Sequence, residues 1–120
     1  MVDLGVCIEG IRRAIVYGRG ILEYREHPKK VNKSYARIST EGFVEALKAI
    51  ADNCPLPDYK RKELLDEYRK LKTYNWESIA GWVLTQSEIT RLPDDALSFL
   101  RDYVGYIPEK YEEYIPEYIP

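Results

Sequence analysis

Few residues of this 120-residue chain are of the types that catalytic or metal sites require. His27 is the single histidine, and Cys7 and Cys54 are the two cysteines. General-base catalysis of the Ser-His or Cys-His type needs a histidine oriented by a partner, and none is visible for His27. The three residues also lack the C-x-x-C or H-x-x-x-H spacing of metal sites. We therefore predict that the protein is not an enzyme and that it binds neither a metal nor a cofactor.

The two cysteines allow two interpretations. The chain has 18 Lys and Arg and 20 Asp and Glu, against one Gln, three Asn and one Met. This composition is typical of hyperthermophiles and predicts a thermophilic, archaeal or archaeal-virus source. Intracellular disulfides do form in such organisms, so Cys7 and Cys54 can be paired. Alternatively, both are reduced thiols that act as small buried hydrophobic residues.

Positive charge is concentrated in the first third of the chain, where residues 1–37 carry eight Lys and Arg against four Asp and Glu. A basic patch with tyrosines nearby can hold phosphates and stack bases, so we keep nucleic-acid binding as one hypothesis. The overall pI of about 5.5 is far below that of a dedicated nucleic-acid-binding domain. The residues that would contact nucleic acid are Arg12, Arg13, Arg19, Arg25, Lys29, Lys30, Lys33 and Arg37.

The C-terminal segment 106–120 repeats Tyr-Ile-Pro three times and is acidic. Aromatic and β-branched residues are depleted in disordered filler, so this tail is expected to pack on its own domain, on a second subunit or on another protein. Tyrosine offers an apolar ring with a polar end, which suits contacts of this kind. The anchors that we predict are Tyr106, Ile107, Tyr114, Ile115, Tyr118 and Ile119.

The elements that must position these residues all show helical periodicity. Apolar residues recur at three- and four-residue spacing, which predicts an all-α fold: a compact bundle of about five helices (residues 1–105) followed by the extended tail (106–120). The stretch between the first two helices is polar and basic and is expected to be a loop, with a short helix at residues 31–38 as the alternative. The predicted starts are Asp3, Ser39 or Thr40, Asp58, Asn75 and Pro93.

Gly10, Ala14 and Gly18 form a row of small residues on the first predicted helix. Glycine inside a helix costs about 1 kcal/mol relative to alanine, so such a row indicates a close approach of another backbone. We expect either packing inside the protomer or a helix–helix dimer contact.

Taken together, these features predict a small adaptor or assembly subunit that acts through protein–protein contacts and self-associates. The alternative is a nucleic-acid-binding subunit of a ribonucleoprotein or viral assembly. No run of about 18 apolar residues exists, so we expect a cytoplasmic protein without a membrane span and without a small-molecule substrate.

Overall fold

A computed structural model describes residues 2–85 and 96–106 of the chain. These ranges form an all-α bundle, which confirms the predicted fold class. The helices are α1 (Leu4–Glu26), α2 (Lys33–Asn53), α3 (Asp58–Lys72), α4 (Trp76–Thr85) and α5 (Ala96–Phe99), and α5 continues as a π-helical turn (Leu100–Val104). Within the described ranges, every helix is either too short or too polar to cross a lipid bilayer.

Helix α1 starts at the predicted position. The Asp3 carboxylate caps it by accepting a hydrogen bond from the Val6 backbone N–H at 3.1 Å. The helix stops where His27 precedes Pro28, because the residue before a proline is pushed out of the helical region. Its buried face carries Ile8, Ile11, Ile15, Gly18 and Ile21.

The N-cap of α2 lies seven or eight residues earlier than predicted. Asn32 is the N-cap, and its side-chain oxygen accepts a 2.7 Å hydrogen bond from the Ser34 backbone N–H. The prediction of Ser39 or Thr40 as N-cap is therefore wrong: both lie inside the helix and are buried. Thr40 is satisfied locally, because its hydroxyl donates to the Arg37 carbonyl at 2.8 Å.

Helices α1 and α2 form an antiparallel hairpin. The start of α1 is joined to the end of α2, at the end of the hairpin opposite the connecting loop. Cys7 and Cys54 are joined by a disulfide, which settles the alternative of two reduced thiols. Beside it, the Asp3 backbone N–H donates to the Asn53 carbonyl at 3.0 Å. The start of α1 is thereby bound both covalently and by hydrogen bonding to the end of α2.

Helix α3 returns along α2 after the turn at Pro55 and Pro57. Asp58, the predicted start, is the first helical residue of α3, and Pro57 is the N-cap. The Arg61 guanidinium reaches back and donates to the carbonyls of Ala51, Cys54 and Leu56 at the end of α2. This one side chain satisfies carbonyls that the helix terminus leaves without partners.

Helix α4 starts as predicted, with the Asn75 side chain accepting from the Ser78 backbone N–H at 2.8 Å. The predicted start of the last helix at Pro93 lies outside the described residues. Phe99 is fully buried in the core together with Leu100 and Val104. Gly105 ends the π-helical turn, with a φ of 78° that glycine adopts without a steric penalty.

Candidate interaction surfaces

The small-residue row of α1 lies inside the protomer. Gly10, Ala14 and Gly18 are all buried. A Cβ atom added to Gly10 would lie 3.2 Å from the Ala49 Cβ and 3.5 Å from the Ile50 backbone nitrogen of α2. The row therefore packs α1 closely on α2 inside the protomer, which was the first of the two alternatives. It does not present a surface to a second molecule.

The described structure ends at the first anchor of the predicted tail. Tyr106 is half-buried and packs against the hydrophobic core. Its backbone N–H donates to the Leu100 carbonyl at 3.2 Å, so the chain leaves the π-helical turn in a fixed position. The other predicted anchors, Ile107, Tyr114, Ile115, Tyr118 and Ile119, lie outside the described residues.

All eight residues of the predicted basic patch are exposed, but they do not form one uniform surface. Arg13 pairs with Glu9 at 3.3 Å on α1, and Arg37 pairs with Glu41 at 3.0 Å on α2. Another group surrounds the α1–α2 loop and forms no ion pair within residues 2–85 and 96–106. This group, here called the loop cluster, consists of Arg25, Lys29, Lys30 and Lys33.

His27 sits next to the loop cluster as the C-terminal cap of α1 and is exposed. Its backbone N–H donates to the Glu23 carbonyl at 2.8 Å, which is a structural role. In the part of the chain that the structure describes, no group of three His, Cys, Asp or Glu residues is arranged to hold a metal ion.

A cleft of about 300 Å³ lies between α2, the end of α3 and the start of α4. At its edge, the Glu45 carboxylate accepts hydrogen bonds from Lys72 at 3.0 Å and from the Tyr68 hydroxyl at 3.4 Å. The hydrogen bond to Glu45 raises the pKa of the Lys72 ammonium. The ion pair between Lys72 and Glu45 thus joins α3 to α2 at this cleft.

A smaller hollow of about 230 Å³ lies where α3 meets the π-helical turn. The Tyr103 hydroxyl donates to the Glu67 carboxylate there at 2.8 Å. Burial raises the pKa of Glu67, and the hydrogen bond from Tyr103 partly opposes that rise. The other carboxylate of this hollow, Glu63, pairs with Lys60 at 3.3 Å. The hydrogen bond between Tyr103 and Glu67 thus anchors the π-helical turn to α3.

The outward side of α1 carries apolar residues that the protomer does not cover. Val6 and Val16 are 44% and 59% exposed, although valine is ordinarily buried. The exposed pair of Glu9 and Arg13 lies between Val6 and Val16 in the same line. We call these four residues the α1 outer stripe, which was not predicted from the sequence.

Comparison of the chain with protein-family models, with curated proteins and with solved structures finds no significant match in any of the three. Its function therefore has to be argued from the surfaces described above, and the α1 outer stripe and the loop cluster are the two that remain unexplained by the packing of the protomer.

Proposed function

We propose that this protein is a non-catalytic assembly subunit that acts through protein–protein contacts and self-associates. The observation that carries the proposal is the α1 outer stripe. A helix that faces only water is expected to be polar on its outer side, whereas this one carries two exposed valines.

The spacing of the stripe supports a helical partner. Its members follow one another at intervals of three, four and three residues, which is the spacing of a two-helix contact. The charged pair in the middle of the stripe favours a partner that offers charges of both signs. A protein helix supplies both features.

The tail is proposed as a second contact. Tyr106 fixes the point at which it leaves the bundle, and the Tyr-Ile-Pro repeats that follow provide apolar rings and little conformational entropy to lose. In a subunit that assembles with its own kind, such a segment adds contact area to the helix seam.

The test is a light-scattering measurement of mass over a range of concentrations. The full chain, of 14.1 kDa, is expected to reach twice that mass at high concentration. A shortened chain that ends at Tyr106 keeps the described core, and it is expected to associate more weakly because it lacks the tail contacts.

Two results would contradict this proposal. A monomer at every concentration would show that the protein does not self-associate. A shortened chain that associates as strongly as the full chain, but melts at a lower temperature, would show that the tail packs within its own protomer and is not a contact surface.

A second candidate function, nucleic-acid binding, is supported by the loop cluster. Its four basic side chains are exposed around one loop without ion pairs among the described residues, and Tyr35 beside them is 45% exposed and able to stack on a base. Glu23 and Glu26 in the last turns of α1 reduce the local positive potential, so this candidate ranks second.

Single-stranded RNA and DNA of generic sequence provide the test of this second candidate. Each phosphate contact contributes about 0.7 to the slope of log affinity against log salt, so Lys29→Ala/Lys30→Ala/Lys33→Ala should reduce the slope by about 2. The control Lys62→Ala/Lys70→Ala removes exposed lysines from α3 and should leave the slope unchanged. Equal slopes for both variants, or no binding at low salt, would exclude a nucleic-acid interface at the loop.

A further inference from the structure

The four residues of the α1 outer stripe are symmetrically placed about one position of the chain. Val6 and Val16 are equidistant from position 11 of the chain, and so are Glu9 and Arg13. Reversal about this position therefore places valine opposite valine and a carboxylate opposite a guanidinium. A surface that is complementary to itself is what a twofold-symmetric contact requires.

We propose that two copies of this chain pack α1 against α1 antiparallel, about a twofold axis that passes near position 11. Val6 then faces Val16 of the partner subunit, and Glu9 faces Arg13 of the partner subunit. This inference rests on the proposed self-association. It adds which surface makes the contact, the antiparallel orientation of the two helices and the residues that face each other.

The position of the stripe on α1 suits this contact. At about 100° per residue, its four members fall within an arc of roughly 80° on the side opposite the buried isoleucines. The buried side, with Ile8, Ile11 and Ile15, is taken up by packing within the protomer. The stripe is thus the part of α1 that a second molecule can reach without unfolding the first.

The shape of the surface also fits a partner helix. Glu9, Arg12, Arg13 and Val16 border a hollow of about 170 Å³, with Tyr17 on its edge. Residues at positions i, i+3, i+4 and i+7 form the hole that accepts one side chain in helix–helix packing. In the proposed register, Glu9 of the partner subunit enters this hole between the two arginines.

Charge selects the antiparallel orientation over the parallel one. Within each α1, Glu9 lies 3.3 Å from Arg13 and 3.9 Å from Arg12. A parallel contact in register would place Glu9 against Glu9 and Arg13 against Arg13, and like charges at a contact are unfavourable. The antiparallel contact instead gives a ring of alternating charges in which each Glu9 lies between its own Arg13 and that of the partner subunit.

The closing experiment measures the dimer Kd of full-length charge variants by sedimentation. Glu9→Arg alone and Arg13→Glu alone each place like charges at two symmetry-related contacts, so each should raise the Kd about tenfold. An equimolar mixture of the two variants should restore dimerisation, because arginine at position 9 of one chain then faces glutamate at position 13 of the other. The double variant Glu9→Arg/Arg13→Glu should dimerise like the unmodified chain.

Matched controls separate the contact from general effects of substitution. Arg37→Glu breaks an exposed pair with Glu41 of the same i, i+4 spacing on α2, and it should leave the Kd unchanged. Val16→Ser should raise the Kd about tenfold, whereas Ile38→Ser on α2 should not, although both side chains are 59% exposed in the protomer. Thermal unfolding of each variant confirms that the fold is retained.

The outcomes distinguish the two proposals. If the unmodified chain dimerises but the α1 variants have the same Kd, self-association stands and the α1 contact is wrong. If the single charge variants weaken the dimer but their mixture does not restore it, the antiparallel register is wrong. If the unmodified chain is a monomer throughout, self-association itself fails.

Discussion

Removal of the disulfide with the double variant Cys7→Ala/Cys54→Ala is expected to lower the free energy of unfolding by about 4 kcal/mol. The bond joins residues 47 positions apart, at the open end of the α1–α2 hairpin. It restricts the unfolded chain far more than the folded one, because the Asp3–Asn53 hydrogen bond already holds the start of α1 to the end of α2. For a chain of this length, the loss corresponds to a decrease in Tm of roughly 15 °C.

Urea unfolding with and without a thiol reductant measures this effect. Reductant added to the unfolded wild-type chain should reduce its stability to that of the double variant, while the variant itself should not respond. The m-value should increase in the variant, because an unfolded chain without the cross-link exposes more surface. Two free thiols in the unfolded wild-type chain before reduction would show that the bond is absent and would contradict the prediction.

The helix starts show where sequence reasoning succeeded in this protein. Asp3 and Asn75 were predictable caps because each stands directly before an apolar helical pattern and has a side chain that accepts from the first turn. The start of α2 was predicted only in part. Residues 31–38 were expected to be a loop, with a short helix as the alternative, and from Lys33 they form the first two turns of α2, capped by Asn32.

The misplaced cap at Ser39 has a specific cause in the tertiary structure. A Cβ at Gly20 of α1 would lie 2.5 Å from the Ser39 hydroxyl oxygen, so the absence of a side chain at Gly20 makes room for Ser39 in the interface. Sequence analysis treats serine before an apolar run as a helix start, since it has no access to the partner that buries it. Long-range packing therefore overrode a reasonable local signal.

The candidate surface was only partly predictable from the sequence. The row Gly10, Ala14 and Gly18 correctly indicated a close backbone approach, but whether the approaching helix belonged to the same chain depended on the fold. The outer valines were visible as residues, yet Val6 and Val16 are separated by charged positions and do not form a continuous run. They could be recognised as a possible contact surface only once the structure showed that the opposite side of α1 is buried.

Truncation of Phe43 is expected to have the other large effect on stability. Phe43 is fully buried on α2 and packs edge-to-face against Tyr103, with ring centroids 6.2 Å apart. Phe43→Ala should lower the free energy of unfolding by about 4 kcal/mol, because it removes a large side chain and leaves a cavity that the surrounding helices cannot fill. Phe43→Leu keeps most of the volume and should cost less than about 1.5 kcal/mol.

The effect of Phe43 should extend to the end of the described chain. Tyr103 packs on Phe99 with ring centroids 5.1 Å apart and donates to Glu67 at 2.8 Å, so it connects α2, α3 and the π-helical turn. In a double-mutant cycle, Phe43→Ala and Tyr103→Ala should be coupled by about 1 kcal/mol, since each removes the partner of the other.

The unfolding measurements should be made in the Glu9→Arg background, because dimerisation would add a concentration-dependent contribution to the apparent stability. Additive effects would show that Tyr103 is held by Phe99 and Glu67 alone, and equal losses for Phe43→Ala and Phe43→Leu would show that the site collapses around the smaller side chain.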